Sequence, residues 1–188
     1  MTTTIFFVRH AESFFVEGKE QSRGLSEQGK ADSLIVSELL IGEEIDLFVS
    51  SPYERAIETI RPAASECART IQIEGDLRER AIGDFSPESF MEAKRRVYTD
   101  FHYAYPNGES SFEAQRRAIN IVDNLLEAHP GKRIVMGTHG DIMTQMLNGY
   151  DEQYGFEFWQ STSMPDIYRA SFEKKKLTEV TRLWKSGT

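Results

Sequence analysis

Among the 188 residues there is a single cysteine, Cys67, so an internal disulfide is excluded and the thiol is expected to pack as a small residue on a helix. Long apolar runs are missing too. The opening stretch Ile5 to Val8 is far too short for the core of a secretory signal or for a membrane span, which makes the cytoplasm the expected compartment and excludes a membrane partner. Positive charge is scarce: 22 Lys and Arg stand against 30 Asp and Glu, a net charge of −8, and the basic residues are scattered. The cationic stripe that nucleic acid requires is therefore absent, and any anionic ligand must be held by a local cluster of cations against the overall field. There is no HExxH or cysteine-rich metal spacing, no internal repeat and no low-complexity tract. The length suits one domain, residues 1–188, and is too short for two ordinary ones.

What is present is a set of short apolar strands that end in charged or titratable residues. Ile5 to Val8, with β-branched and aromatic character, reads as a buried parallel strand that stops at Arg9 and His10. Such a strand delivers a cation and an imidazole to the carboxyl edge of a sheet, where open α/β folds place their ligands. Arginine there favours phosphate or carboxylate, because its planar fork donates two parallel hydrogen bonds. Histidine beside it suits a base, a metal ligand or a nucleophile. Phe14 to Gly24 reads as a loop over the sheet edge, and a helix starts at Ser26 as N-cap, burying Ala31, Leu34, Ile35 and Leu39 and ending before Gly42. Gly24 to Lys30 imitates a P-loop, but Ala31 stands where Ser or Thr would be needed and no strand precedes it.

Leu47 to Ser50 is a second strand; Ser51, Pro52 and Glu54 then suggest a capped helix start that fixes Arg55 in the first turn, near the strand end. Ile71 to Ile73 forms a third strand leading to Glu79, whose bland alternative is a surface ion pair with Arg78 or Arg80. Residues 84–107 are rich in large side chains and read as a helix plus an irregular segment capping a pocket, with the Lys94 to Arg96 group facing solvent. Another helix starts at Ser110 with a capping box to Glu113 and buries Phe112, Ile119, Val122 and Leu126; His129 closes it in a structural role. Ile134 to Thr138 is a strand that again ends in histidine, His139. Gly140 lets backbone approach a ligand there, and the helix that follows points amides at it. Ile167 to Phe172 and Leu177 to Trp184 look like a hairpin.

Arg9, His10, Arg55, Glu79 and His139 thus converge on one edge of a parallel sheet. The motifs R-H-A-E-S at Arg9 to Ser13, S-S-P-Y-E-R-A-I-E-T at Ser50 to Thr59, L-R-E-R-A-I-G at Leu77 to Gly83, G-E-S at Gly108 to Ser110 and G-T-H-G at Gly137 to Gly140 together resemble the histidine phosphatase superfamily, also called phosphoglycerate mutase-like. The resemblance implies an α/β fold: a three-layer α/β/α sandwich with a mostly parallel central sheet and a small helical cap. It also implies that His10 takes the phosphoryl group, that Arg9, Arg55 and His139 hold its oxygens with Ser13 and Gly140 as further contacts, and that Glu79 protonates the leaving alcohol. No metal or cofactor is implied, and the expected partner is a small phosphorylated molecule. Tyr98, Phe101 and Tyr103 are candidate contacts to its remainder. Two departures bear on this. Ala11 replaces a common glycine, and Val16 replaces a common asparagine that would contact phosphate. Three other readings of the same residues are a mutase, a weakly catalytic phospho-ligand binding module and a metal hydrolase, the last opposed by like charge from Arg9 and Arg55.

Overall fold

The computed structural model describes residues 1–185; the last three positions of the expected 1–188 domain lie outside the described residues. Its centre is a six-stranded sheet in the order β3-β2-β4-β1-β5-β6. The strands are β1 (Thr2–Arg9), β2 (Leu47–Ser50), β3 (Ile71–Ile73), β4 (Arg133–Thr138), β5 (Asp166–Glu173) and β6 (Lys176–Arg182). The first four run parallel, and β5 and β6 add an antiparallel hairpin beside β1. Ile5, Phe6, Phe7 and Val8 are all fully buried because β1 lies in the middle of the sheet with both faces covered. On one side, Phe6, Val8, Phe48 and Val135 meet α1 (Glu27–Ile41) and α2 (Glu54–Glu66). On the other, Ile5, Phe7, Ile134 and Met136 meet α4 (Ser111–Ala128) and α5 (Gly140–Asn148). This is the expected three-layer α/β/α sandwich. No helix among the described residues is long and apolar enough to cross a membrane.

Register is what positions the site. Arg9 pairs with Thr138 across β1 and β4, and the His10 amide donates to the Thr138 carbonyl at 3.0 Å, so His10 and His139 leave the sheet side by side. Ser50 pairs with Gly137 on one side and with Ile73 on the other, which brings the β2 and β3 ends to the same edge. Both α3 (Phe90–Thr99) and α4 begin with complete capping boxes, Ser89 with Glu92 and Ser110 with Glu113.

Several expectations are corrected. On α1, Ser26 caps as expected, but the buried residues are Gly29, Ser33, Val36, Ser37 and Leu40, while Ala31, Leu34, Ile35 and Leu39 face solvent. The reason is close packing: a Cβ on Gly29 would lie 2.2 Å from the Glu12 carbonyl oxygen, and α1 packs along α2, so small residues take the inner face. On α4, Phe112 is exposed and stacks on His102, and Ile119 is half-buried; Ala114, Ala118 and Leu125 join Val122 and Leu126 in the core. α2 starts at Glu54 with Tyr53 as N-cap, so Ser51 caps nothing and Pro52 precedes the helix.

Candidate active site

His10 is nearly enclosed, and both its ring nitrogens are engaged. Nδ1 donates to the Ala11 carbonyl at 2.8 Å, and Arg55 Nε donates to Nε2 at 3.2 Å. The bond to Ala11 puts the ring proton on Nδ1 and leaves a lone pair on Nε2. Burial, aided by Arg55 and Arg9 and opposed by the Ala11 carbonyl, brings the His10 pKa down to about 3. His139 packs edge-on, its ring 5.2 Å from that of His10 and 5.1 Å from Tyr53. Its Nε2 meets Ser51 Oγ at 2.7 Å, which is where the expected helix cap is spent. Its pKa also lies well below the ordinary range, through burial and then the field of His10 and Arg55. His139 is fully buried edge-on beside His10 and is not among the side chains that line the cavity below.

Arg9 donates to Thr162 Oγ1 at 2.6 Å, and burial lowers its pKa. Its buried Nε, like His139 Nδ1, has no hydrogen-bond partner among the described residues. At Gly140 a Cβ would come within 2.7 Å of Arg9 Cζ, so the glycine makes room for this guanidinium. Two amides of the first turn of α5 are occupied. Asp141 and Ile142 donate to Glu79 at 3.1 and 2.9 Å, and Arg80 N adds a third bond to the same carboxylate at 2.9 Å. Glu79 is paired with neither neighbouring arginine: Arg78 goes to Asp76, and Arg80 forms a two-pronged bond with Asp141 at 2.8 and 3.2 Å.

Asp141 is fully enclosed and also bonded by Lys94 Nζ and the Tyr98 hydroxyl. The cations Lys94 and Arg80 keep its carboxyl far below the ordinary range despite burial. Lys94 is thereby turned inward, against the expectation that the whole Lys94 to Arg96 group faces solvent; Arg95 and Arg96 are exposed, Arg96 on Glu88.

The loop after β1 supplies two side chains that local sequence did not single out. Glu20 binds Arg55 Nη2 at 2.6 Å and draws Arg23 to 3.4 Å, while Arg23 also donates to Ser13 Oγ at 2.7 Å. Ser13 itself donates to the Gly24 carbonyl at 2.6 Å, so its hydroxyl is used in holding the loop. Val16 is half exposed and brings no polar group. A cavity of about 510 Å³ is lined by Arg9, His10, Ser13, Glu20, Arg23, Tyr53, Arg55, Glu79, Arg80 and Lys94, and by the apolar Phe15, Ile82, Phe90, Trp159 and Met164. Tyr98, Phe101 and Tyr103 are not on it. Tyr98 and Phe101 border a separate groove, and Tyr103 packs on Tyr105 and Arg96. Among the described residues, no group of three or more His, Cys, Asp or Glu is arranged to hold a metal ion.

The neutral imidazoles set a pH dependence of stability. On unfolding, both histidines return to about 6.5, so from there downwards the unfolded chain binds protons that the folded chain refuses. Stability therefore falls with falling pH, with a limiting slope of roughly 1.4 kcal/mol per pH unit for each histidine. Thermal unfolding is expected to give a lower Tm at pH 5 than at pH 7, and His139→Gln should narrow that gap. A gap of the same size in the variant would assign the loss to other groups.

A family model described as "Histidine phosphatase superfamily (branch 1)" matches residues 5–181. A curated relative, phosphoglycerate mutase-like protein 4 of Arabidopsis thaliana, is 29% identical over 158 residues, covering 76% of this chain and 68% of the relative. Among solved structures, a mycobacterial glucosyl-3-phosphoglycerate phosphatase superposes with a TM-score of 0.76 at 18% identity, covering 97% of this chain and 98% of that one. A mutant phosphoserine phosphatase from Entamoeba histolytica gives a TM-score of 0.76 at 17% identity, covering 95% and 96%.

Proposed function

The chain belongs to the histidine phosphatase superfamily (branch 1), and from that membership we propose that it is a phosphomonoester hydrolase working through a phosphohistidine on His10. The observation that carries this reading is the state of His10: a neutral ring, its proton pinned on the Ala11 carbonyl and its Nε2 turned to Arg55. An imidazole so held is a competent nucleophile.

In the first half-reaction, Nε2 gives up the bond it accepts from Arg55 Nε and attacks phosphorus as the ester P–O bond breaks, and Glu79 gives a proton to the departing alcohol. Positive charge growing on the ring strengthens the Nδ1–H bond to Ala11. In the second half, Glu79 takes a proton from water, the water oxygen attacks phosphorus, and the N–P bond breaks to return neutral His10. Arg9 and Arg55 stabilise the charge on the equatorial oxygens, with His139, edge-on beside His10, as a third holder. The unpartnered Arg9 Nε and His139 Nδ1 support these roles, since a buried polar atom is costly until a ligand satisfies it. A phosphoryl group reaching Arg55 displaces the Glu20 carboxylate, which already sits there as an anion.

The backbone amides of Arg80, Asp141 and Ile142 fix the orientation of Glu79, and neither neighbouring arginine side chain is bonded to it. Glu79→Gln is expected to slow alkyl phosphates far more than aryl phosphates, whose leaving groups need little protonation. Equal losses on both would remove Glu79 from the role.

A mutase is the second reading, because a relative bears that name. A mutase needs cations free for a second anionic group, whereas here Lys94 is already committed to Asp141. Incubation with 3-phosphoglycerate and a trace of 2,3-bisphosphoglycerate, followed by phosphorus NMR, is expected to give no 2-phosphoglycerate. Its rapid appearance without free phosphate would overturn the hydrolase reading.

A further inference from the structure

More than a third of the residues lining the cavity are apolar ones that phosphate chemistry does not need. Phe15, Phe90 and Met164 all line it, and they are 75%, 47% and 48% exposed, among the most exposed large apolar side chains of the molecule. Isolated exposed apolar residues are ordinary, but several gathered on the cavity that holds the nucleophile form an apolar patch of the kind that contacts a ligand. Trp159 stands among them in a fixed position. Its ring centroid lies 6.2 Å from that of Phe90, 5.7 Å from Phe156 and 6.3 Å from Tyr98, and Lys94 Nζ sits 5.3 Å from it and 5.5 Å from Phe90. Lys94 is in turn tied to Asp141, so the aromatic wall is braced from behind and loses little freedom when a flat group is laid on it.

Charge points the same way. Arg9, Arg23, Arg55, Arg80 and Lys94 surround the cavity, against Glu20 and Glu79 on it and Asp141 directly behind. With Glu79 carrying the proton it gives to the alcohol, five cations against the Glu20 and Asp141 carboxylates leave three positive charges, most of which one phosphoryl dianion takes up. Lys94, the cation that touches the aromatic wall, and Arg80 are both already bonded to Asp141, so a carboxylate or second phosphate on the substrate would find no free partner there.

Resting on the hydrolase reading, we propose that the alcohol part of the substrate is an uncharged aryl or arylalkyl group, held against Phe90 and Trp159, and not a carboxylated or doubly phosphorylated one. The test compares phosphonates, which cannot be hydrolysed, by titration calorimetry. 3-Phenylpropylphosphonate is expected to bind on the order of tenfold or more tighter than 3-phosphonopropionate, the effect of burying a ring in place of a carboxylate. In Phe90→Ala and in Trp159→Ala this preference should shrink to a few-fold. Phe90 is half exposed, so its variant keeps the test valid if loss of Trp159 disturbs folding. Equal or tighter binding of phosphonopropionate, or an unchanged preference in Phe90→Ala, overturns the proposal. A parallel assay compares 2-phenylethyl phosphate with glycerol 1-phosphate, whose leaving alcohols are similarly basic. Turnover of neither ester above a His10→Ala control counts against the hydrolase reading, while the calorimetry still decides the specificity.

Discussion

Replacing His10 by alanine is expected to lower turnover of any phosphate ester on the order of ten-thousandfold or more, leaving only what the cation cluster does for direct attack by water. The size follows from the role: without Nε2 there is no acceptor for the phosphoryl group, and the reaction cannot be divided into two displacements. A structural origin for such a loss is separable. The alanine variant removes one bond to Arg55 and one to the Ala11 carbonyl but leaves the Arg55 to Glu20 pair and the Glu79 amide bonds untouched. Inorganic phosphate should therefore still bind within several-fold of the parent protein. Turnover within tenfold of the parent would remove His10 from the mechanism.

Arg55→Ala is expected to cost a hundredfold or more in kcat, because a charge-assisted donor is lost where transition-state charge develops. Arg55 is fully buried and reaches His10, Glu20 and the Glu20 carbonyl at once, so its guanidinium also sets the distance between nucleophile and loop. Arg55→Lys should recover little, since one ammonium cannot replace the fork that meets His10 and Glu20 together. A rise in KM with kcat unchanged would mean that Arg55 binds ground and transition states alike and supplies no catalysis.

The strand ends were legible because each is a local event: an apolar run, then a cation or an imidazole, repeated at Arg9 with His10, at Arg55 and at His139. The parallel register of β1, β2 and β4 then brings them together without further information. What escaped depends on partners distant in sequence. Asp141, in the first turn of α5, looks like an ordinary complement to a helix dipole, yet it anchors Arg80 from 61 residues away and Lys94 from 47. Lys94 shares a basic triplet with residues that do face water, and only its long-range pairing distinguishes it. Glu20 and Arg23 lie in a loop without periodicity, although two opposite charges three residues apart, beside a predicted phosphate site, were a usable signal. Hydrophobicity does not mark the inner face of α1. Where α1 packs on α2, size decides instead, and Gly29, Ser33 and Ser37 go inside. Tyr98 illustrates the same limit, since its hydroxyl satisfies Asp141 and it is Phe90 and Trp159 that line the cavity.

The most direct test of the account is to mix the protein with a phosphate ester at near-equal concentrations, quench in alkali within milliseconds, and locate bound phosphate by peptide mass spectrometry. Phosphohistidine survives alkali and is destroyed by acid, so the account predicts a phosphorylated peptide containing His10 that appears before free phosphate and vanishes on acid treatment. Free phosphate released in the first turnover with no phosphorylated peptide at any time, or phosphate on another residue, would contradict it.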